Sequence, residues 1–226
     1  MNKENKVELL GFYGSDLIHA QSAWTSTSRD LTEEKVSRVD KLLKMLANEG
    51  HHTPFEKSSL HFLVTVDQAT HIHLLKHRIG VSINGESARY KELKEDKTYI
   101  PKDWNQLSLD KFNTHFGLHF DGTDTWGEIL LAYTGLGNDL YHKCLDSLTP
   151  ILGRKRAKES ARFFKTFNSQ ITMDVMFNWR SFYHFQKLRN DEHAQLEVRE
   201  VAQMMLNLVK NIEGNPFKLT IEAFNI

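Results

Sequence analysis

Twice in this chain an alternating apolar run passes without a linker into a helical pattern, and that junction restricts the folds open to it more than any other feature. In 59–67, SLHFLVTVD, the apolar Leu60, Phe62, Val64 and Val66 alternate with Ser59, His61 and Thr65, the period of a strand with one buried face. Asp67 can then cap a helix through QATHIHLLKHR, with Ala69, Ile72 and Leu75 on one side and Thr70, His73, Lys76 and His77 on the other, closed by Gly80. The second half repeats the arrangement. Ile171, Met173, Val175 and Phe177 alternate, and Asn178 opens a helix through NWRSFYHFQKLRN. A strand that buries one face needs a layer to cover it, and helices leaving directly from the strands supply that layer. The expected fold is a mixed α+β (α/β) domain, a sheet with helices packed against it.

The remaining segments fit this scheme. A short helix is predicted over 16–28, opened by Asp16, and another over 32–48, where Val36, Val39, Leu42, Leu43 and Leu46 share a face and Gly50 closes it. Pro54 in GHHTPFEK forbids a continuing helix. A helix through KRAKESARFFKTF precedes the second strand, and HAQLEVREVAQMMLNLVKNI forms a long amphipathic helix stopping at Gly214. Residues 101–150 carry the least legible pattern. A chain of 226 residues with 40% hydrophobic content buries about 70% of its unfolded surface, enough for one domain over 1–226. Its 29 basic residues balance 29 acidic ones, so no overall field draws it onto nucleic acid, and an anion site has to be a local cluster. The single Cys144 excludes a disulfide framework and a Cys-rich zinc site. No apolar run approaches the roughly 18 residues of a membrane span. A reducing, cytoplasmic setting is expected.

Chemistry concentrates in KHRIGVSINGESARY, residues 76–90, where cations, a glycine elbow and side-chain donors follow one another. That series describes either an anion-binding segment or a solvated helix end. Ser87 followed two residues later by Arg89 suits phosphate, a neutral hydrogen bond beside a charged fork, although an edge strand with polar residues facing water has the same appearance. No nucleophile elbow surrounds Ser87, and Cys144 in DLYHKCLDSL lies on an amphipathic helix pattern as a structural thiol, so covalent catalysis is poorly supported. His73 and His77 have the spacing of two ligands on one helical face. Leu74 stands where a zinc protease would need Glu, so no metal site is assigned. Arg89, Arg162, Arg180 and Arg189 fall near predicted element ends, several beside aromatics as in SARFF and NWRSF. A partly buried guanidinium needs a partner, and a bound anion would serve. Neither GxGxxG nor GxxxxGK[ST] occurs.

With KHR, eight residues and SARY, together with GHHTPFE and NWRSFYHFQKLRNDEHAQLEVRE, the chain resembles the flavin-dependent thymidylate synthase family from about Gly14 to its last helix. That family's signature is Arg-His-Arg, seven residues, then Ser-x-Arg-Tyr. The resemblance implies one domain with a central, mainly antiparallel sheet flanked by helices, in a homotetramer whose active sites are shared between chains. It implies a methyltransferase that binds FAD and converts dUMP to dTMP, with methylenetetrahydrofolate as carbon donor and NADPH as reductant. No enzyme nucleophile is needed, in keeping with Cys144. By position, the resemblance assigns flavin binding to His51, Thr53, Glu56, Lys76, His77, Arg78, Asn84, Asn178, Arg180, His184 and His193. It assigns the dUMP phosphate to Ser87, Ala88 and Arg89 with Arg162, nucleotide contacts to His73, Lys76 and Glu86, and the catalytic role, stabilising an N3-ionised pyrimidine, to Arg189. Gln195 is a structural neighbour. Three departures stand out: Lys76 replaces an arginine fork with a point charge, His73 replaces the usual Gln, and one extra residue, with Gly85 placed to absorb it, lengthens the signature. Two other functions stay open: a related C5 modification such as hydroxymethylation of a pyrimidine monophosphate, and a nucleotide-binding module without flavin.

Overall fold

In the computed structural model, which describes residues 4–110, 112–113, 119–120 and 122–226, both predicted strands are present and each leads into a helix. The described elements in chain order begin with β1 (Lys6–Tyr13), α1 (Asp16–Trp24), α2 (Glu33–Ser37) and α3 (Val39–Asn48). A 3-10 turn (Thr53–Lys57), β2 (Ser59–Asp67), α4 (Gln68–Leu74) and β3 (Val81–Gly85) follow. The middle of the chain holds a 3-10 turn (Lys102–Gln106), the short strands β4 (Phe112–Asn113) and β5 (His119–Phe120), then α5 (Trp126–Leu152) and α6 (Arg154–Ala161). A last 3-10 turn (Arg162–Phe164) leads to β6 (Gln170–Phe177), α7 (Trp179–Arg189), α8 (Leu196–Lys210) and α9 (Lys218–Phe224). The strands order as β1-β2-β6-β3 in a four-stranded sheet, with β1 antiparallel to β2, and β4 pairs β5 in a separate ribbon.

Two compact units divide the chain. One, the sheet unit, comprises 6–65, 72–84 and 172–226; the other, the hairpin unit, comprises the residues up to Asn5, 66–71 and 85–171. In the sheet unit the alternation of β2 works as predicted: Leu60, Phe62 and Val64 are fully buried, as are Val175 and Phe177 of β6. The helix α7 lays Phe182 and Phe185 on this face, with Phe62 and Phe182 stacked at 5.9 Å and Phe177 and Phe185 tilted at 5.3 Å. Each such side chain contributes about 1.5–3 kcal/mol through removal from water. The apolar stripe of α8, Val198, Val201, Ala202, Met205 and Val209, is buried too.

A second buried layer closes around His19, which has no exposed surface. Its Nδ1 is 3.0 Å from Thr220 Oγ1 and its Nε2 is 2.8 Å from Ser58 Oγ. Asp16, expected to open α1, sits one residue inside it, because Ser15 accepts from the Ile18 N–H as the cap. The Asp16 carboxylate reaches α9 instead, accepting from the Leu219 and Thr220 N–H groups at 2.8 Å each.

In the hairpin unit, the least legible part of the sequence forms its longest helix. Thr125 and Glu128 cap α5 reciprocally, satisfying two orphan donors. Gly153, at φ 75°, turns the chain so that α6 returns, and Tyr141, Leu145, Ala157 and Ala161 form the cluster between the two helices. Cys144 packs against that cluster, half-buried.

Four helix predictions need correction. The helix expected over 16–28 ends at Trp24, where Thr25, Ser26 and Thr27 hydroxyls each donate to carbonyls of the last turn. The one over 32–48 breaks at Arg38, whose N–H bonds three residues back to Lys35 while Ser37 Oγ bonds Glu34 O, tightening the turn. The helix after Asp67 stops at Leu74, because Lys76 and His77 also bond three residues back, so His73 and His77 do not share a helical face. Its faces are opposite to those expected: Thr70 and Leu74 are buried, whereas Ile72 and Leu75 are 44% and 42% exposed. Asp67 sets that phase, since its own carboxylate is buried, accepts from Asn5 at 2.9 Å and caps the Thr70 N–H at 2.8 Å. The helix through KRAKESARFFKTF ends at Ala161. There the chain presses on Gly137 of α5, where a Cβ would meet Phe164 O at 2.6 Å.

Candidate functional site

Gly80 fixes how the cationic segment meets α7. Its φ is 65°, and a Cβ there would lie 2.3 Å from Ser181 Oγ and 2.5 Å from Asn178 Nδ2, so only glycine permits the approach. The approach is then held by polar contacts. Ser181 Oγ donates to Ile79 O at 2.6 Å, and the Asn178 N–H donates to Gly80 O at 3.2 Å. The side chain of Asn178 caps α7 by accepting from the Ser181 N–H at 2.9 Å, the role its residue type predicts.

The three turns of α7 carry Arg189 to the same cavity. It has a volume of about 270 Å³ and is lined by Lys76, His77, Arg78, His184 and Arg189 with Ser181 and apolar Ile79, Val81 and Leu188. Arg189 Nε donates to His77 Nε2 at 3.1 Å. The His77 ring packs edge-on against Phe185 at 5.1 Å. Burial, reinforced by the charges of Arg189, His184 and His73, pushes the His77 pKa down to about 4. The imidazole is therefore neutral near pH 7, with Nε2 as acceptor and the proton on Nδ1. One edge of the guanidinium is thus fixed, and among the described residues Nη1 and Nη2 make no hydrogen bond.

A second, larger cavity of the sheet unit, about 760 Å³, is lined by Thr53, Glu56 and Lys57 of the GHHTPFEK turn, by Ser22 and Thr25 at the end of α1, and by Arg29. Arg180 Nη1 donates to Glu56 at 2.5 Å. Hydroxyls and cations on a wall shared with Tyr13 and Ile18 suit a diphosphate, and a cavity with Arg, Lys and His donors between aliphatic walls suits a planar ring bearing carbonyls. The residues present therefore fit a flavin dinucleotide. Of the other expected flavin residues, His51 and Asn84 are exposed, and the His193 side chain is 88% exposed; none lines either cavity. His73, half-buried in α4, contributes charge toward His77 without lining the cavity.

The hairpin unit carries the expected phosphate residues. Ser87 O accepts from the N–H groups of Tyr90 and Lys91, at 3.0 and 2.8 Å, and Ser87 Oγ accepts from the Arg89 N–H at 3.3 Å. These bonds make a turn, so the edge-strand alternative for Ser87-Ala88-Arg89 is set aside. Arg89 Nε donates to Glu159 at 2.9 Å, and Lys91 pairs with Glu86 at 2.5 Å. Arg162 is exposed at the end of α6. The sequence led to the expectation of arginines partly buried beside aromatics, with no obvious set of paired carboxylates. Arg189 is half-buried as expected, but Arg78, Arg89, Arg162 and Arg180 are exposed, and Arg89 and Arg180 have Glu partners. The carboxylates are remote in sequence, 70 and 124 residues away, which is why local reading missed them. Arg29 and Ser181 are lining residues that sequence reasoning also missed; only the offset of three from Asn178 pointed to Ser181. Among the described residues, no group of three His, Cys, Asp or Glu side chains is disposed to hold a metal ion.

Comparison with known proteins follows the same lines. The family described as thymidylate synthase complementing protein matches residues 8–213. The chain is 29% identical over 218 residues to the flavin-dependent thymidylate synthase of Kosmotoga olearia, covering 96% of this chain and 89% of that protein. It is 29% identical over 210 residues to the flavin-dependent thymidylate synthase of Wolbachia pipientis wMel, covering 90% and 69%. Among solved structures it is similar to the UMP/dUMP methylase PolB from Streptomyces cacaoi bound with 5-Br dUMP, with a TM-score of 0.77 and 27% identity over 99% of this chain and 96% of that one.

Proposed function

The chain belongs to the thymidylate synthase complementing protein family, and from that premise we propose that it is a flavin-dependent thymidylate synthase, a methyltransferase that reductively methylates dUMP to dTMP. Methylenetetrahydrofolate is the carbon donor and NADPH the reductant. The family match over 8–213 supports reading residues 1–226 as one domain of this kind. We further propose a cytoplasmic homotetramer with active sites shared between chains; no helix among the described residues is long and apolar enough to cross a membrane.

The observation that carries the reading is Arg189, held through Nε by a neutral histidine, its terminal nitrogens making no hydrogen bond among the described residues. A guanidinium fixed in this way stabilises negative charge at N3 and the carbonyl oxygens of a pyrimidine as C5 is modified, without reorganising during the reaction. Ser87 and Arg89 bind the phosphate, one by a neutral hydrogen bond and the other by charge. Lys76, Arg78, Asn178 and His184 hold the ring end of FAD. Thr53, Glu56 and Arg180, joined by Arg29 and Lys57, hold its polar end. His51, Asn84 and His193, exposed in one chain, are proposed to reach flavin across subunits; Ala88, Glu86, Arg162 and His73 complete the nucleotide contacts. FAD, when bound, supplies hydride transfer. Half-buried Cys144 has no part in the chemistry.

Purified protein given FAD, NADPH, methylenetetrahydrofolate and dUMP should yield a product heavier by one methyl replacement, measured by mass spectrometry. Gain of a hydroxymethyl group refutes the methylation, and colourless protein that takes up no flavin refutes the enzyme altogether. A second reading, UMP as an alternative substrate, is favoured by the similarity to a UMP/dUMP methylase, PolB, solved also with 5-Br UMP at a TM-score of 0.74. Comparing kcat/KM for UMP and dUMP separates the two.

A further inference from the structure

Residues 86–97 pose a structural question that the reaction does not answer. Beyond the end of β3 they form neither strand nor helix; within them the backbone bonds are the turn at Ser87 and one from the Lys94 N–H to Glu92 O at 3.0 Å, and at their far end the Gln170 N–H donates to Lys97 O at 2.9 Å. An irregular segment of this length keeps one shape only if other groups take up its polar atoms. The contacts nearer the surface, Arg154 with Glu92 and Lys158 Nζ with Tyr90 O, involve cations open to water and hold weakly.

The buried contacts are different. Tyr141 has no exposed surface, and its hydroxyl accepts from the Leu93 N–H at 3.1 Å. Its ring lies under Lys165, whose ammonium is 4.5 Å from the ring centroid. The Lys165 side chain is only 3% exposed, and it donates to Asp96 at 2.5 Å and to Asn138 at 2.8 Å. His142 Nε2 meets the other Asp96 oxygen at 3.0 Å. A buried ammonium survives where acceptors and a π face replace its water. Asp96 itself has φ 45°, a conformation that a non-glycine residue keeps only when its surroundings impose it. Burial pushes its carboxyl upward, but the hydrogen bonds and charges of Lys165 and His142 outweigh that and hold it below the usual range.

We infer that Tyr141 and Lys165 are positioning residues: they pin the 86–97 segment at Leu93 and Asp96, and through it they set where Ser87 and Arg89 present their donors. The inference rests on the reading of Ser87 and Arg89 as the phosphate site. One ring serves both anchors, accepting a backbone amide at its hydroxyl and the ammonium at its face, so loss of the hydroxyl releases Leu93 while leaving the Lys165–Asp96 anchor in place.

The test is steady-state kinetics of the flavin-loaded Tyr141→Phe enzyme. KM for dUMP should rise five- to twentyfold, with kcat at saturating dUMP within twofold of the parent and the flavin absorbance unchanged. A fall in kcat, loss of flavin or an unchanged KM overturns the inference. Asp96→Asn, which keeps the shape and tolerates the same backbone conformation, should raise KM in the same way, and an unchanged KM there counts equally against it. Arg89→Ala separates the two claims. If it leaves KM for dUMP unchanged, the phosphate assignment itself is wrong; if it raises KM while Tyr141→Phe does not, only the positioning role fails.

Discussion

Replacing Gly80 by alanine tests the junction on which the candidate site is built. Two glycines of the sheet unit have nearly the same positive φ, 65° at Gly80 and 72° at Gly50, yet a Cβ at Gly50 meets nothing within 4 Å. Alanine at Gly50 therefore carries only the left-handed backbone cost, about 1 kcal/mol. At Gly80 the same cost applies, and the new methyl must also displace Ser181 Oγ and the Asn178 amide. Losing the Ser181 bond to Ile79 O costs about 1 kcal/mol, and disturbing the Asn178 cap costs about 1 kcal/mol more. Gly80→Ala should then destabilise by about 3 kcal/mol, roughly 2 kcal/mol more than Gly50→Ala. At about 2–4 °C per kcal/mol for a chain of this size, their melting temperatures should differ by about 4–8 °C at equal protein concentration. Because the segment bearing His77 and Arg78 leaves from Gly80, flavin retention should fall in Gly80→Ala alone. Equal melting shifts for the two variants would refute the close approach.

Arg189→Ala should reduce turnover below detection while flavin stays bound, read from the absorbance of purified protein; near-normal kcat would remove Arg189 from the mechanism. Ser87→Ala should raise the Kd for dUMP about tenfold, the equivalent of one hydrogen bond to a charged group, with kcat little changed, measured by titration. Burial lowers the His19 pKa to about 3, so the unfolded chain takes up this proton first as pH falls below about 6.5. The stability that neutral His19 contributes above pH 6.5 should drop by about 2 kcal/mol by pH 5, and urea midpoints of His19→Gln should lack that part of the slope. Cys144→Ser should leave kcat within twofold, and a larger loss would revive a nucleophile role.

The sequence made the strands β2 and β6 legible because burial on one face leaves a period-two trace, and it made the start of α7 legible because Asn178 is a strong cap. Helix ends were less accessible. Which face α4 buries was hidden as well, because it depends on Asp67 being anchored by Asn5, 62 residues away, and no window of sequence contains both. Of the long helix α5 only the stretch around Cys144 was legible, because apolar side chains such as Tyr133 and Leu136 stay exposed and blur the pattern before it. The candidate site was legible as residue types in order. The partners were not: Glu56 for Arg180, Glu159 for Arg89 and His77 for Arg189 are pairings made by the fold.

The 86–97 segment, fastened by side chains, has a bearing on descent. A strand inside a ladder cannot shift register without disturbing its neighbours, whereas a stretch clipped at Leu93 and Asp96 can gain or lose a residue between clips and leave the sheet intact. Lineages could thus retune their hold on a nucleotide by exchanging this one stretch, while the architecture beneath it is inherited unaltered.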